Sequence, residues 1–399
     1  MRIALIADTF PPLRTSGAVQ LRDLAREFAR QGHDLCVLLP APDQREPWLF
    51  DKFDGVQVLR LKAPRTKDIG YIRRTLAELV MPFSMLRNLR KSPLANEVWE
   101  GVVWYAPSIF HGPLVSALKK SSGCRSYLII RDIFPEWAVD MRLMGRGLTY
   151  RFFDMVARYQ YSVADVIGVQ TPGNQRYFSQ WLAQPGRKLE VLQNWLGKPT
   201  QVACSFHVNK TLLAGRKLFV YAGNMGVAQG MDILLNLADR LRDRSDLGFV
   251  FVGRGSDVAR LKAAAQNLQL DNVVFFDEID PDEIPALYAQ CKAGIVALDP
   301  RHKSHNIPGK FLTYMQSGLA VLANVNAGND LAQLIRDEQV GQVCESNNVD
   351  ELAKLAEQLL GQIERDADLP ARCQRFFARE FAVERSVTQI CAALSGNIR

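Results

Sequence analysis

Short apolar runs alternate with helical periodicities along most of the chain. Ile3 to Ala7 is the first such run, and a loop holding Pro11, Pro12 and Gly17 follows it. Val19, Leu21, Leu24, Ala25, Phe28 and Ala29 then recur at helical spacing until Gly32, and Leu35 to Leu39 is the next apolar run. Strand, loop, helix and strand in that order predict the opening of a parallel α/β layer. Strands are predicted next at Val56 to Leu61, Val102 to Tyr105, Tyr127 to Ile130, Val166 to Val169 and Leu189 to Leu192, with helices near Leu114 to Lys120 and Leu148 to Ser162.

Periodicity fades between about Gly197 and Gly215, which predicts a linker, and the same alternation then restarts. Strands are expected at Leu218 to Ala222, Gly248 to Val252, Val273 to Phe276, Ile295 to Leu298 and Ala320 to Ala323, with a helix over Met231 to Leu241. At 399 residues the chain exceeds one ordinary hydrophobic core. The expectation is therefore α/β with two doubly wound Rossmann-like domains: residues 1–205, residues 206–375, and a C-terminal helix of about 376–399 crossing back to the first. Ligands of such sheets bind beyond the carboxyl ends of the strands, so chemistry is sought in the loops that follow them.

Composition narrows the classes. With 48% hydrophobic and 23% charged residues the chain is globular rather than disordered. The net charge of +7 suits an anionic partner, whether nucleic acid, a phosphate-bearing substrate or an acidic membrane. No zinc-finger spacing, RNP-type aromatic segment or basic heptad region supports nucleic acid. Seven cysteines without a CxxC pair read as small buried hydrophobes in a reducing compartment, and no metal-ligand cluster is spelled out, so no metal site is expected. The N-terminal apolar run is too short for a signal peptide, and no segment approaches the ~18 apolar residues of a membrane span. A cytoplasmic protein is expected, with peripheral contact to the inner membrane face open to it. The basis for that contact is Leu76 to Lys91, apolar on one side and flanked by Arg73, Arg74, Arg87, Arg90 and Lys91, although a surface helix with a core face reads the same way.

Several loops carry candidate chemistry. Asp8 to Gly17 ends at a helix start, where backbone N–H groups and the dipole favour an anion; a tight strand-to-helix turn has the same residues. Gly223-Asn-Met-Gly-Val-Ala-Gln-Gly230 holds the equivalent place in the second half and suits a diphosphate, with Asn224 and Gln229 as neutral donors. Gly253-Arg-Gly255 places Arg254 where it could meet a nucleobase or simply stand in solvent. Asp299 to Lys310 gathers polar and cationic groups at one strand end, and Lys310 falls in a helix's first turn, where a cation is disfavoured unless a phosphate is near. Asp280-Pro-Asp282 has the look of a metal-binding DxD but is more simply a helix cap. Arg131-Asp132, followed by Phe134 and Trp137, suits an acceptor sugar, or else a buried network tying loops together. His111 begins a helix and either looks into the site or bonds the helix end, and His33 reads as a turn residue.

In this order and spacing the residues resemble the retaining GT-B glycosyltransferases of family 4, and within them the bacterial O-antigen and capsule enzymes that transfer N-acetyl-fucosamine-type sugars. The resemblance spans essentially the whole chain. It rests on Phe10-Pro-Pro with Ser16-Gly17, Gly32-His33, Arg131-Asp-Ile-Phe-Pro-Glu136, Gln193-Asn-Trp195, Tyr221-Ala-Gly-Asn-Met-Gly226 with Gln229-Gly230, and Ile307-Pro-Gly-Lys310 with Tyr314-Met-Gln-Ser-Gly318. It implies a UDP-sugar donor, a lipid-linked or lipopolysaccharide glycan acceptor, and no cofactor. Donor contacts would come from Ser16, Gly17, Gly223, Asn224, Gln229, Arg254, Pro308, Gly309 and Thr313, and acceptor contacts from Arg131, His111 and Trp137. Asp132 and Lys310 would act in the reaction, Asp132 standing where many members have a catalytic histidine. Asn224 and Gln229 replace the usual diphosphate-binding Arg and Lys, and His305 and Thr313 replace the usual pair of glutamates. Those departures keep two other readings in view: a nucleotide-sugar epimerase or hydrolase, and a degenerate glycan-binding scaffold.

Overall fold

The computed structural model describes residues 1–199, 202–226, 229–299, 301, 305 and 307–396. The chain forms two compact units, Met1–Gly197 with Val383–Arg399, and Lys198–Ala382.

The first unit is built on β1 (Arg2–Ile6), β2 (Asp34–Ala41), β3 (Trp48–Phe53), β4 (Val56–Lys62), β5 (Gly101–Ala106), β6 (Arg125–Ile130), β7 (Val166–Val169) and β8 (Lys188–Val191). Their order is β3-β4-β2-β1-β5-β6-β7-β8, parallel except for β3, which the apolar pattern did not reveal and which caps the edge antiparallel to β4. Side chains on the central strands alternate between two buried faces, as a covered parallel sheet requires. Ala4, Ile6, Trp104, Leu128 and Ile130 meet one set of helices: α2 (Tyr71–Leu89), α3 (Gly112–Ser122) and α5 (Leu148–Val163), through Met81, Met85, Leu114 and Ala157. Ile3, Leu5, Val103, Tyr127 and Ile129 meet α1 (Ser16–Arg30), through Leu21, Leu24 and Phe28. Two short helices, α4 (Glu136–Asp140) and α6 (Ser179–Leu182), follow β6 and β7. Helix α2 begins earlier than its periodicity suggested and runs unbroken through Pro82, because Met81, Pro82, Met85 and Leu89 are all held against the core.

The second unit repeats the plan with β9 (Lys217–Ala222), β10 (Leu247–Val252), β11 (Val273–Phe276), β12 (Ala293–Ala297), β13 (Ala320–Asn324) and β14 (Gly341–Cys344), in the order β11-β10-β9-β12-β13-β14 and parallel throughout. Helices α7 (Asp232–Arg240), α8 (Val258–Asn267), α9 (Ile284–Tyr288), α10 (Gly309–Gln316), α11 (Asp330–Asp337), α12 (Val349–Arg365) and α13 (Leu369–Glu380) connect the strands and follow them. The chain then returns to the first unit as α14 (Val383–Leu394), whose Val387, Ile390 and Leu394 join the core beside α1.

Both domain borders differ from the sequence expectation by several residues. The stretch from Lys198 belongs to the second unit, because Phe206 stacks on Phe276 at 3.7 Å and the Ser205 amide donates to Glu283 at 2.6 Å. Helix α13 also stays there, since Phe376 and Phe381 pack edge-on against Phe311 of α10. Truncating Phe376→Ala should therefore destabilise by about 3–5 kcal/mol. Hydrogen exchange should speed up in the strands of residues 217–344 and not in those of 2–191.

Candidate active site

In each sheet the strand order reverses at one place, between β1 and β5 in the first unit and between β9 and β12 in the second. Loops leaving neighbouring strands in opposite directions open a crevice there, and most sequence-predicted site residues lie on these loops.

In the second unit the loop after β9 and the loop after β10 are pressed backbone to backbone. The Met225 amide donates to the Arg254 carbonyl at 2.7 Å, and the Gly223 amide to Val252 at 2.9 Å. A β-carbon on Gly253 would overlap the Gly223 carbonyl, and one on Gly255 the Met225 carbonyl, while φ at these glycines is 142° and 154°. Glycine is required at both for that reason. Asn224 and Gln229 are joined, Asn224 Nδ2 donating to Gln229 Oε1 at 3.1 Å, and the same oxygen accepts the Gly226 amide at 3.1 Å. Val227 and Ala228 of this loop lie outside the described residues.

Lys310 arrives from the other side of the crevice, in the first turn of α10. Its Nζ donates to the Tyr221 hydroxyl at 3.0 Å and sits 4.1 Å from the centre of that ring. The Tyr221 hydroxyl in turn donates to the Asn224 carbonyl at 2.6 Å. A β-carbon on Gly223 would stand 3.4 Å from Lys310 Cε, so the glycine turn and the lysine are in contact. No carboxylate pairs with Lys310 among the described residues. Burial without a counter-ion pulls its pKa from 10.5 to about 8. By contrast, Arg301 on the same loop is held bidentately by Asp299 at 2.8 and 2.7 Å. Pro300, His302, Lys303, Ser304 and Asn306 of the cationic loop lie outside the described residues.

Other donor candidates are placed as follows. Pro308 is the N-cap of α10, with no side-chain cap bond of its own, and Gly309 is the helix's first residue. The Thr313 hydroxyl turns back to the Gly309 carbonyl at 3.3 Å. His305 Nδ1 lies 3.0 Å from Asp330 Oδ1 and accepts the Asp330 amide at 3.2 Å. Arg254 is exposed, 3.4 Å from Glu278. Asp280 accepts the Asp282 amide at 3.0 Å and caps a short 3-10 turn. Among the described residues no group of three or more His, Cys, Asp and Glu side chains could hold a metal ion.

At the first unit's reversal, Thr15 caps α1 by accepting the Ala18 amide at 3.3 Å and lies 3.0 Å from the Thr9 hydroxyl. Ser16 is exposed beside it, and a β-carbon on Gly17 would stand 3.3 Å from both Thr9 Cγ2 and the Tyr105 hydroxyl. Tyr105, next to the last residue of β5, donates to Gln20 at 3.2 Å. Burial raises its pKa, Arg131 opposes that, and Asp132 and Asp8 add to it, so these groups share one edge. Asp132 is exposed. Its neighbour Arg131 is buried and donates to the carbonyls of Leu192 at 2.8 Å and Gln193 at 3.2 Å, with its guanidinium 4.6 Å over Trp195. Burial draws the Arg131 pKa down to about 10. These partners make Arg131 a staple between strand ends. Trp137 is half-buried against Phe134.

His111 is fully buried, and neither ring nitrogen has a hydrogen-bond partner among the described residues. The helix-end bond that its position suggested is not formed by its side chain; its backbone amide donates to Gln160 instead, at 3.1 Å. Burial lowers its pKa, against a raising influence from Asp8. A neutral imidazole with both nitrogens open is a costly thing to bury, and such groups mark places where a ligand or water completes the set. The pattern overlooked Tyr105, Tyr221 and Gln20; the signal available was that both tyrosines stand at or next to the last residue of a reversal-point strand.

Comparison with known proteins agrees with this architecture. Residues 16–195 match the glycosyl transferase 4-like domain, and residues 216–362 match the family of glycosyl transferases group 1. The chain is thus a glycosyltransferase, with the two Rossmann-like domains of the GT-B fold. It is 23% identical over 359 residues, covering 84% of this chain and 86% of the other, to a protein of Escherichia coli (strain K12) whose name assigns it to colanic acid biosynthesis as the glycosyl transferase WcaI. Among solved structures it resembles sucrose-phosphate synthase from Thermosynechococcus elongatus (TM-score 0.74, 15% identity, 99% and 98% of the two chains). It also resembles Anabaena Alr3699/HepE in complex with UDP and glucose (0.68, 14%, 99% and 100%). A third is WaaG, a glycosyltransferase involved in lipopolysaccharide biosynthesis (0.63, 14%, 99% and 100%).

The lysine has a measurable signature. Its folded pKa lies below its ordinary value, so between about pH 8 and 10.5 the unfolded chain binds more protons and stability rises with pH. Lys310→Met should flatten that rise and stabilise the unliganded protein near pH 7 by about 1–3 kcal/mol. Urea unfolding of the two proteins across the window reads both effects.

Proposed function

We propose that this glycosyltransferase moves a sugar, with retention of configuration, from a UDP-sugar to a lipid-linked or lipopolysaccharide glycan in cell-surface polysaccharide synthesis. The observation that carries the donor half is the Lys310 ammonium, half-buried without a carboxylate partner among the described residues and touching the glycine turn after β9. A diphosphate there would supply the missing counter-charge. As the bond from the sugar's anomeric carbon to the phosphate oxygen breaks, negative charge grows on the leaving UDP. Lys310, the amides of the Gly223 loop and the start of α10 would stabilise it. The acceptor oxygen bonds to the anomeric carbon on the face the phosphate leaves, and its proton passes to the departing phosphate oxygen. Ser16 and Gly17 would complete the diphosphate contacts, while Asp132, His111 and Trp137 would orient the sugars. Thr313, its hydroxyl already turned to Gly309, would offer the ribose little compared with a carboxylate. The polysaccharide setting is supported by the relative named for colanic acid biosynthesis and by the likeness to WaaG, and the uridine nucleotide by the likeness to HepE bound to UDP.

A thermal-shift series with UDP, GDP, ADP and CMP, each with and without magnesium, tests the donor. Stabilisation by UDP alone, unchanged by magnesium, is the expected result. Lys310→Ala should abolish most of that shift and lower turnover about 10²-fold or more. UDP-sugar consumption without any acceptor would instead indicate an epimerase or hydrolase, and absence of any nucleotide shift would indicate a glycan-binding scaffold.

An anionic membrane is the proposed site of encounter with the acceptor. Among the described residues no helix is long and apolar enough to cross a bilayer, but α2 carries an outward apolar stripe. Tyr71 and Ile72 are 88% and 80% exposed, and Leu76, Val80 and Phe83 continue the line on the face opposite Met81 and Met85. Arg73, Arg87, Arg90 and Lys91 flank it. Flotation with phosphatidylglycerol vesicles should carry the wild type up, and should fail for Ile72→Glu combined with Phe83→Glu.

A further inference from the structure

The first unit has a second concave site that the transfer reaction does not use. A cavity of about 540 Å³ lies between α5 and the turn that follows β7, within the size range of small-molecule sites. One wall is a single face of α5, with Asp154, Arg158 and Tyr161 at successive turns. The other is the 3-10 turn Pro172–Phe178 continuing into α6. The walls are fixed to each other. Phe178 packs edge-on against Tyr161 at 5.1 Å, Trp181 Nε1 donates to the Tyr161 carbonyl at 2.7 Å, and Arg158 Nη1 donates to Gln180 at 3.0 Å. The space is therefore built into the fold.

The lining selects a ligand class. Its charges balance, two carboxylates (Glu136, Asp154) against two guanidiniums (Arg158, Arg176), and much of that charge is already engaged. Asp154 accepts from Arg158 at 2.8 Å, and Arg176 lies 5.1 Å over the Tyr177 ring. An ionic ligand would gain little from this set. What is open is of another kind. The Tyr161 hydroxyl has no hydrogen-bond partner among the described residues. Glu136 accepts from the Tyr150 hydroxyl at 3.0 Å, and burial raises its pKa. Tyr177 adds an aromatic surface. Hydroxyl, carboxyl and amide groups of both donor and acceptor type beside aromatic rings match a neutral polyhydroxylated ring, whose hydroxyls bond at its rim and whose C–H faces cover aromatics.

We propose that this groove is an accessory saccharide site, which holds a neutral sugar unit of a glycan away from the point of transfer. Ile133 and Glu136, which line it, lie one and four residues after Asp132 in the chain. Resting on the reading of Asp132 as an acceptor contact, the groove would take a sugar of the acceptor chain remote from the reacting hydroxyl, and so favour long acceptors over short ones.

Saturation-transfer NMR on the full chain with lactose, cellobiose and N,N′-diacetylchitobiose, and with inorganic phosphate in competition, tests this. The expected result is transfer to at least one disaccharide, undisturbed by phosphate and by UDP. Tyr161→Phe combined with Tyr177→Leu should weaken it about tenfold, as loss of a hydrogen bond and a ring face implies. Tyr161→Phe alone, which keeps the ring packed on Phe178, provides the same reading if the double variant folds poorly. No transfer to any of the three sugars, competition by phosphate, or equal signals from variant and wild type would overturn the proposal. The UDP thermal shift should persist in the variants, so failure of the donor reading would show there, separately from failure of the groove.

Discussion

Parallel sheets covered on both faces leave a protein few places to put chemistry. The central strands of both units are filled with buried apolar side chains, which in the first unit alternate between helices on one side and the other. Polar groups can then gather only at strand ends, and a crevice opens only where adjacent connections leave in opposite directions. Tyr105, Gly17 and His111 lie at that place in the first unit, and Tyr221, Gly223 and Lys310 in the second. The repeated plan gives each unit one such edge, with a tyrosine projecting from it to organise a small residue at a loop start.

Electrostatics distinguishes the two edges. Along the first, the buried cation is Arg131, which donates to two backbone carbonyls and lies over an indole ring. The His111 imidazole there has no hydrogen-bond partner among the described residues. Along the second, among the described residues, Lys310 meets a phenol and its ring, and a glycine turn with backbone donors stands beside it. An edge of mixed charges and an edge whose cation has no carboxylate partner among the described residues fit the proposed sugar and diphosphate respectively. The same reasoning sets the α5 groove apart, since its charges already cancel and hydroxyl chemistry is what remains.

The sequence by itself determined the alternation of elements, because apolar runs of strand length and helical stripes are read directly from local order. It also determined the two glycine-rich loops, whose chemistry is set by small residues at strand ends, and the conflict of a lysine in a helix's first turn. It was silent on β3, whose Trp48-Leu-Phe-Asp-Lys-Phe53 pattern is that of an edge strand with one wet face. Only the tertiary structure decided that residues 198–205 fold with the second unit and that α13 does so too, through Phe206 on Phe276 and Phe376 on Phe311. It alone decided that Arg131 is a staple, that the Thr313 hydroxyl turns to its own helix, and that Lys310 meets Tyr221 across 89 residues of chain. The physical reason is the range of the forces involved. Periodicity and capping act within a few residues and are written in local order. Burial of a charge and the partners it finds depend on which strands become neighbours, and strand order is fixed by packing the whole sheet at once.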